Sequence, residues 1–477
     1  MNPVDLLIIG GGINGSGIAC DAAGRGLSVH LCEQNDLASG TSSKSTKLIH
    51  GGLRYLEYYQ FHLVRESLIE REILLRKAPH LIWPLSFVLP YQSHLRPIWM
   101  IRLGLFLYDH LAKRSILPDS KYLTLNNTSY FEPLKPQYTK GFMYPDCAVD
   151  DARLVIANAI SAHELGAQIS TYCKVEKLTR INGLWQAEIH DQKNNKKFTI
   201  TAKAVVNATG PWTEPYLTQH HIRLVKGSHI VVPKLYEGEQ AYILQQADNR
   251  IVFAIPYEQH WTLIGTTDID YTGDPSLVEI SEDEINYLCQ IINSYFNKQI
   301  NTESVVWHFS GVRPLFDSNL QKDPKSVSRD FSFELNDKHG QLPLLSVLGG
   351  KITTYRILAE QALHKLKPYF PHMGPDWTAT APLPGGDIAN ADFEQFFNMI
   401  KTEYAYLPEE LLHRLARQYG TRINILLKNV TSVADLGQDY GTTLYEREID
   451  YLKKYEWLHT DDDLLYRRTK LGLAILA

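Results

Sequence analysis

A chain of 477 residues has room for two or three domains, and 44% hydrophobic with 21% charged residues is the balance of a folded protein. A net charge of −5 supplies no global basic field for nucleic acid, so any anion site has to be built locally. Five scattered cysteines without a CxxC pair argue against a disulfide framework and against metal ligation, and no apolar run reaches the roughly 18 residues of a membrane span.

The opening segment, MNPVDLLIIGGG, enters a strand directly with no signal-like stretch before it, which predicts a cytoplasmic location. The apolar run VDLLII is followed by Gly10-Gly-Gly-Ile-Asn14-Gly15 and a helix rich in small residues, so the pattern reads strand, tight turn, helix. Gly10 permits the turn, Gly12 lets a pyrophosphate approach the backbone and Gly15 allows close helix packing, while the helix N-terminus offers N–H groups and a positive dipole end. A second strand, SVHLCE, ends in Glu33, 21 residues after Gly12, where a carboxylate accepts from ribose hydroxyls. These features predict a dinucleotide site, open at this point to FAD or NAD.

Next comes TSSKSTKLIHGGLRYLE, residues 41 to 57, which crowds hydroxyls, cations and a glycine pair into one loop. The segment LRPIWMIRLGLFLYDHLAKR, 95 to 114, mixes apolar and cationic residues as interfacial helices do, although Arg102 and Asp109 interrupt it. Further on, KAVVNATGPW ends an apolar run at Ala208-Thr-Gly210, and LLSVLGGKITTY places Gly349-Gly350 and Thr353 at a strand-to-helix junction. Together with the first turn, these glycine-marked strand ends describe one sheet closed around an extended ligand, which favours FAD. Between them, short apolar runs separated by turn residues predict a mostly antiparallel sheet over the cofactor. Beyond the Pro/Gly linker PLPGGDIA, helical spacing takes over. The expected fold is therefore α/β: a Rossmann-like FAD-binding domain over 1–80, 145–215 and 340–370, an inserted, mostly antiparallel β substrate or cap domain over 81–144 and 216–339, and an all-α domain over 380–477.

Eight ordered blocks, among them GGGINGSGIACDAAGRGLSV, TSSKSTKLIHGGLRYLE, FMYPDCAVDDARLV, NATGPW, KGSHIVVP, IGTTDIDYTGDP, SGVRPL and LLSVLGGKITTYR, resemble the FAD-dependent, respiratory glycerol-3-phosphate dehydrogenases over nearly the whole chain. The resemblance implies oxidation of sn-glycerol 3-phosphate to dihydroxyacetone phosphate by hydride transfer from C2 to flavin N5. It also implies that Ser42, Ser43, Lys47, His50 and Gly51 run along the cofactor, with Ala208, Gly210, Gly350 and Thr353 at its far side. Lys44 reads as a solvated loop lysine.

For the substrate phosphate the candidates are Arg54, Arg313 and Lys351, each in a Gly- or Pro-marked turn after an apolar segment, with Arg329 as a weaker fourth. For the base, His229 at the start of HIVVP competes with His50, and Tyr55 offers a hydroxyl and a pocket wall. The family further implies a membrane quinone as electron acceptor, a homodimer, and peripheral attachment to the inner face of the cytoplasmic membrane, with no nucleic-acid partner. Two segments suit that attachment, 95 to 114 and 353 to 370, each equally readable as a buried amphipathic helix. Two rival readings are an oxidase that passes electrons to dioxygen and a non-catalytic or RNA-modifying FAD protein. The absence of a basic stripe speaks against RNA.

Overall fold

The computed structural model describes residues 2–93, 95–114, 116–217, 222–246, 250–316 and 330–475. The strand Val4–Ile9 is flanked in parallel by Val29–Cys32 on one side and Lys196–Asn207 on the other; Gln341–Gly349 and Gln168–Ser170 extend the parallel set. Its side chains alternate between two cores. Leu6 and Ile8 pack with the helices Ile13–Gly24, Asp151–Glu164 and Tyr355–Leu366. Leu7 and Ile9 pack with Val175, Trp185 and Ala187 of the antiparallel pair Cys173–Ile181 and Leu184–Asp191. A strand covered on both faces must be apolar throughout, which is why VDLLII carries no strict alternation.

A second, larger sheet arises from the segments between the cofactor motifs. Its strands run in the order Ile269–Asp270, Ile222–Pro233, Trp261–Gly265, Ile251–Tyr257, Ala241–Gln245, Ile82–Pro90, Lys140–Val149 and Leu48–Ile49. Trp307–Phe316 also pairs with Ile222–Pro233. All neighbours are antiparallel except Ala241–Gln245 against Ile82–Pro90. The helix Glu282–Tyr295 covers one face, its start fixed by a capping box between Ser281 and Glu284 and its Leu288 and Ile292 packed on Ile230, Val232 and Leu244.

The sheets divide the chain at different seams from those the sequence suggests. Phe331–Lys338 belongs to the first sheet, antiparallel to Gln341–Gly349, because the tight connection around His339-Gly340 folds it straight back. Leu48–Ile49 pairs with Lys140–Val149 in the second sheet, and Lys140–Val149 runs unbroken through the expected boundary at residue 145. The helices Phe393–Glu403, Glu409–Tyr419 and Glu446–Tyr455 pack around a separate core that includes Phe397, Leu412, Leu415 and Leu452. The fold is thus α/β with an all-helical C-terminal domain.

The two segments with interfacial character part company. Tyr355–Leu366 is a core helix: Tyr355, Leu358, Ala359, Ala362, Leu363 and Leu366 are buried, and the Tyr355 ring fills the space that Gly17 leaves on the neighbouring helix. It offers no face to a membrane. Ile98–His110 buries only Leu105 and Tyr108, leaving Trp99 63% and Phe106 56% exposed beside Met100 and Leu103. No described helix is long and apolar enough to cross a membrane.

Candidate active site

At the end of Val4–Ile9 the chain turns through Gly10 at φ +109°, where a Cβ would lie 2.5 Å from the Ala208 carbonyl oxygen. Only glycine meets both demands. The helix Ile13–Gly24 then begins with its first-turn N–H groups open to the cavity side, apart from Ile13, whose N–H donates to Ser42 Oγ at 2.9 Å. The Glu33 carboxylate accepts from the Gly11 N–H at 2.6 Å and the Asn35 N–H at 2.8 Å. Burial pushes the Glu33 carboxyl pKa up, against the pull of those N–H donors, so hydroxyl donors from a ribose would be welcome there. Asn14 donates to the Gly349 carbonyl at 3.2 Å, while its buried Oδ1 finds no partner among the described residues. A glycine turn without room for a side chain, open helix N–H groups, a waiting carboxylate and an orphaned amide oxygen fit a dinucleotide such as FAD.

These residues line a cavity of about 700 Å³, and cations line it as well. Arg54, Tyr55 and Tyr58 come from the 3₁₀ turn Leu53–Tyr58, Arg313 from the strand Trp307–Phe316, and Lys351 from the segment after Gly349-Gly350. Arg313 Nη1 pairs with Asp268 Oδ1 at 2.7 Å and Nη2 donates to Thr266 Oγ1 at 3.3 Å. Gly227 makes this arrangement possible: a Cβ there would lie 2.8 Å from Arg313 Nη2. The Lys351 ammonium sits 4.3 Å above the Tyr55 ring, and Arg54 Nη2 donates to Tyr58 Oη at 3.3 Å. Arg54 Nε is buried with no partner among the described residues.

Gly10, Gly12, Asn14, Glu33, Ser42, His50, Ala208, Gly210, Gly350 and Thr353 line this cavity together with Arg54, Tyr55, Arg313 and Lys351. Gly15 lies just behind the turn, its missing Cβ clearing the Gly10 carbonyl. Ser43, Lys47, Gly51 and His229 are not among the lining residues. Lys47 turns inward and binds both oxygens of Asp151, at 2.9 and 3.0 Å, as well as the Ser43 carbonyl at 3.0 Å. Gly51 makes room for Tyr108 rather than for a flavin: its N–H donates to Tyr108 Oη at 2.9 Å, and a Cβ would approach that oxygen to 2.6 Å. His229 is only 1% exposed, stacked on Phe309, with Nε2 3.0 Å from Thr46 Oγ1 and Nδ1 unpartnered among the described residues. Thr46, which does line the cavity, stands between them. Lys44 is half-buried on the cavity wall instead of solvated; burial, then the nearby Arg467 charge, pulls its ammonium pKa down. Arg329 lies outside the described residues.

Sequence reasoning missed Thr46, Thr266 and Asp268. The only hint was their presence in the hydroxyl-rich loop and in IGTTDID, and nothing in either string shows that Asp268 meets Arg313 across 45 residues.

A family of FAD dependent oxidoreductases matches residues 5–356, and the C-terminal domain of alpha-glycerophosphate oxidase matches residues 377–476. The chain is therefore an FAD-dependent oxidoreductase. It is 54% identical to a glycerol-3-phosphate dehydrogenase of Pseudomonas aeruginosa over 98% of this chain and 92% of that one, and 50% identical to the aerobic glycerol-3-phosphate dehydrogenase of Escherichia coli over 99% and 95%. A D-erythritol 1-phosphate dehydrogenase of Brucella abortus is 51% identical over 98% and 94%. The crystal structure of the Bacillus halodurans glycerol-3-phosphate dehydrogenase complexed with FAD superposes with a TM-score of 0.79 at 28% identity, covering 100% of this chain and 88% of that one. The chain belongs to the FAD-dependent glycerol-3-phosphate dehydrogenase family.

The buried His229 has a measurable consequence. Burial, reinforced by the Arg313 and Lys47 charges, drives its pKa well below the usual histidine value, so the folded protein keeps the ring neutral while the unfolded chain protonates it below about 6.5. The unfolded state then binds more protons, and stability, complete above that pH, falls as the pH drops. His30, lowered to about 4, and His80, lowered to about 3, act in the same direction. Urea titrations across that window should show His229→Gln losing part of the pH slope, up to about 1.4 kcal/mol per pH unit for one proton. An unchanged slope would mean that the ring is charged in the fold.

Proposed function

We propose that the protein oxidises the secondary alcohol of sn-glycerol 3-phosphate to the ketone of dihydroxyacetone phosphate, and that a membrane quinone takes the electrons onward. The observation that carries this reading is that Arg54, Arg313 and Lys351 line the same cavity as the dinucleotide cradle. Guanidinium forks match phosphate oxygens in pairs, and the lysine adds a point charge. A phosphate held there would fix the carbinol carbon relative to the cofactor, and positioning of this kind can supply a large share of a rate gain. FAD, bound in the cradle, supplies the two-electron acceptor for the hydrogen on C2. The hydroxyl proton is relayed through Thr46 to His229 Nε2, which is neutral in the fold, at the cost of placing a charge on a buried ring. The Arg54 Nε, which has no partner among the described residues, and the Arg313 fork, shared with Asp268, are the groups offered to phosphate oxygens.

A tetritol phosphate is the second reading, favoured by the 51% identity to the D-erythritol 1-phosphate dehydrogenase. The purified yellow protein should bleach anaerobically with glycerol 3-phosphate and not with glycerol. Faster bleaching by D-erythritol 1-phosphate would reassign the substrate, and failure of both phosphates on FAD-loaded protein would defeat the proposal. Arg313→Ala should raise KM for the phosphate substrate by roughly tenfold to a hundredfold, the loss of one charged hydrogen-bond pair. His229→Gln should instead lower kcat by on the order of 10²–10⁴, with KM little changed. Unaltered kinetics in either variant would remove that residue from the site.

Attachment to a membrane is supported by the helix Ile98–His110. Its outward Trp99, Met100, Leu103 and Phe106 lie with the exposed Arg102 on one face, and Tyr59 and Phe61 are also exposed. Its inner side shares a core with Leu53, Tyr55 and Leu56 of the turn that presents Arg54 to the cavity. A surface of this kind brings a lipid-soluble quinone to the cavity mouth. Leu103→Glu combined with Phe106→Glu should abolish co-sedimentation with anionic phospholipid vesicles while leaving anaerobic bleaching intact; full retention on vesicles would exclude this helix.

A further inference from the structure

The cofactor cradle is gripped from behind by the C-terminal domain. A single turn of wide, π-type helix, Asp463–Arg468, brings two arginines onto Asp36, which lies three residues beyond Glu33 and is fully buried. Arg468 Nη1 and Nη2 each donate to one Asp36 oxygen at 2.8 Å, and Arg467 Nε donates to Asp36 Oδ2 at 2.7 Å. Arg468 is itself held by the Glu456 carbonyl at 2.7 Å, and Arg467 by Asp463 at 2.7 Å. Tyr172 adds a second strap, its hydroxyl donating to Asp463 at 2.8 Å while its N–H donates to the Asn35 carbonyl at 2.9 Å.

The loop so held forms one wall of the cradle. Glu33, Gln34, Asn35, Ser39 and Gly40 line the cavity, and the Ala38 N–H donates to the Gly11 carbonyl at 3.0 Å. The same stretch of the C-terminal domain also reaches Asp150 and the strand that carries Arg313. Lys470 binds Asp150 at 2.7 Å, next to the Asp151 that holds Ser45 and Lys47, and the Tyr466 ring stacks on Trp307, 5.6 Å between centroids, at the start of the strand that carries Arg313.

We propose that the segment 463–470 is a cofactor latch: by clamping Asp36 it holds the Glu33 loop against the glycine turn, so the all-helical domain sets how tightly FAD is retained. Removing one partner of a buried, hydrogen-bonded ion pair leaves the other charge stranded, and the loop relaxes to solvate it. A loop that moves takes the ribose-accepting carboxylate and the Ala38–Gly11 tie with it. Coupling of this kind is reciprocal: if the latch favours bound FAD, bound FAD must favour the closed latch.

The test uses the full chain. Arg468→Met keeps length and shape but removes the fork; Asp36→Asn removes the charge it clamps. Flavin fluorescence should report an FAD dissociation constant raised about tenfold or more in both, equivalent to the ~1.4 kcal/mol that separates tenfold affinities. Hydrogen exchange supplies the second readout. In the unaltered protein FAD should slow exchange across 463–470, although those residues do not line the cavity, and in Arg468→Met that slowing should vanish. A role confined to general stability would leave the FAD effect on those amides in place. If Arg468→Met does not fold, Arg467→Gln decides by the same two measurements, since its side chain is 16% exposed and surrenders one bond to Asp36 and one to Asp463. A folded variant that holds FAD as tightly as the unaltered protein, or FAD-independent exchange at 463–470 in that protein, overturns the proposal.

Discussion

The buried ion pair between Lys47 and Asp151 is the constraint on which the cavity depends. Lys47 keeps 7% of its side-chain exposure and Asp151 none, and each carboxylate oxygen accepts from the ammonium. Burial alone would pull the Lys47 pKa down, and Asp151 is what opposes that pull. Breaking such a pair costs about 3–5 kcal/mol because the remaining charge has no water to turn to. Here the pair fixes one loop to the start of the helix Asp151–Glu164, at the seam where the first sheet gives way to the second. Residues 41 to 60 are otherwise a long connection with only a two-residue strand and short 3₁₀ turns of their own. They hold shape because they are tied along their length: Ser42 to the Ile13 N–H, Thr41 to the Val312 carbonyl at 2.7 Å, His50 to Thr353 and Gly51 to Tyr108. A loop anchored in this manner can carry cofactor contacts at one end and Arg54 at the other in fixed register.

Local electrostatics then decide what the cavity accepts. The chain as a whole is slightly acidic, so on the proposed reading attraction for a phosphate comes from three cavity-lining cations, carried by the loop, the strand Trp307–Phe316 and the Gly349-Gly350 junction. Asp268 tempers that charge and aims the Arg313 fork, a compromise between holding the guanidinium in place and leaving it free to grip a ligand. Behind the wall, burial and the Arg313 and Lys47 charges keep His229 neutral. Arg313 therefore belongs to both settings: it lines the cavity, and its charge disfavours the protonated form of the buried histidine.

Much of this was legible in the sequence where the chemistry is local. The glycine turn, the acid at Glu33, the strand ends at Ala208 and Gly350 and the helical tail all announce themselves through short-range pattern, and their positions follow from backbone sterics and helix dipoles. What stayed hidden depends on partners far away along the chain. Lys47 was readable as a cofactor contact until Asp151 took it, and Gly51 until Tyr108 filled the space beside it. His229 looked free to face the cavity, yet the pairing of its strand with Trp261–Gly265 and Trp307–Phe316 places it behind Thr46 and against Phe309. Both amphipathic segments mix apolar with cationic residues; packing into the first core, with the Tyr355 ring against Gly17, buries one, while the other keeps an exposed apolar face.

The central claim is that a phosphate grip and a neutral histidine present the carbinol C2 hydrogen to bound FAD. The rate of anaerobic flavin bleaching with glycerol 3-phosphate deuterated at C2, compared with material deuterated at C1, tests it most directly. Slower bleaching with the C2 label alone is the predicted result. Equal rates for both labels under conditions where bleaching is limited by the chemical step, or slowing by the C1 label, would contradict it.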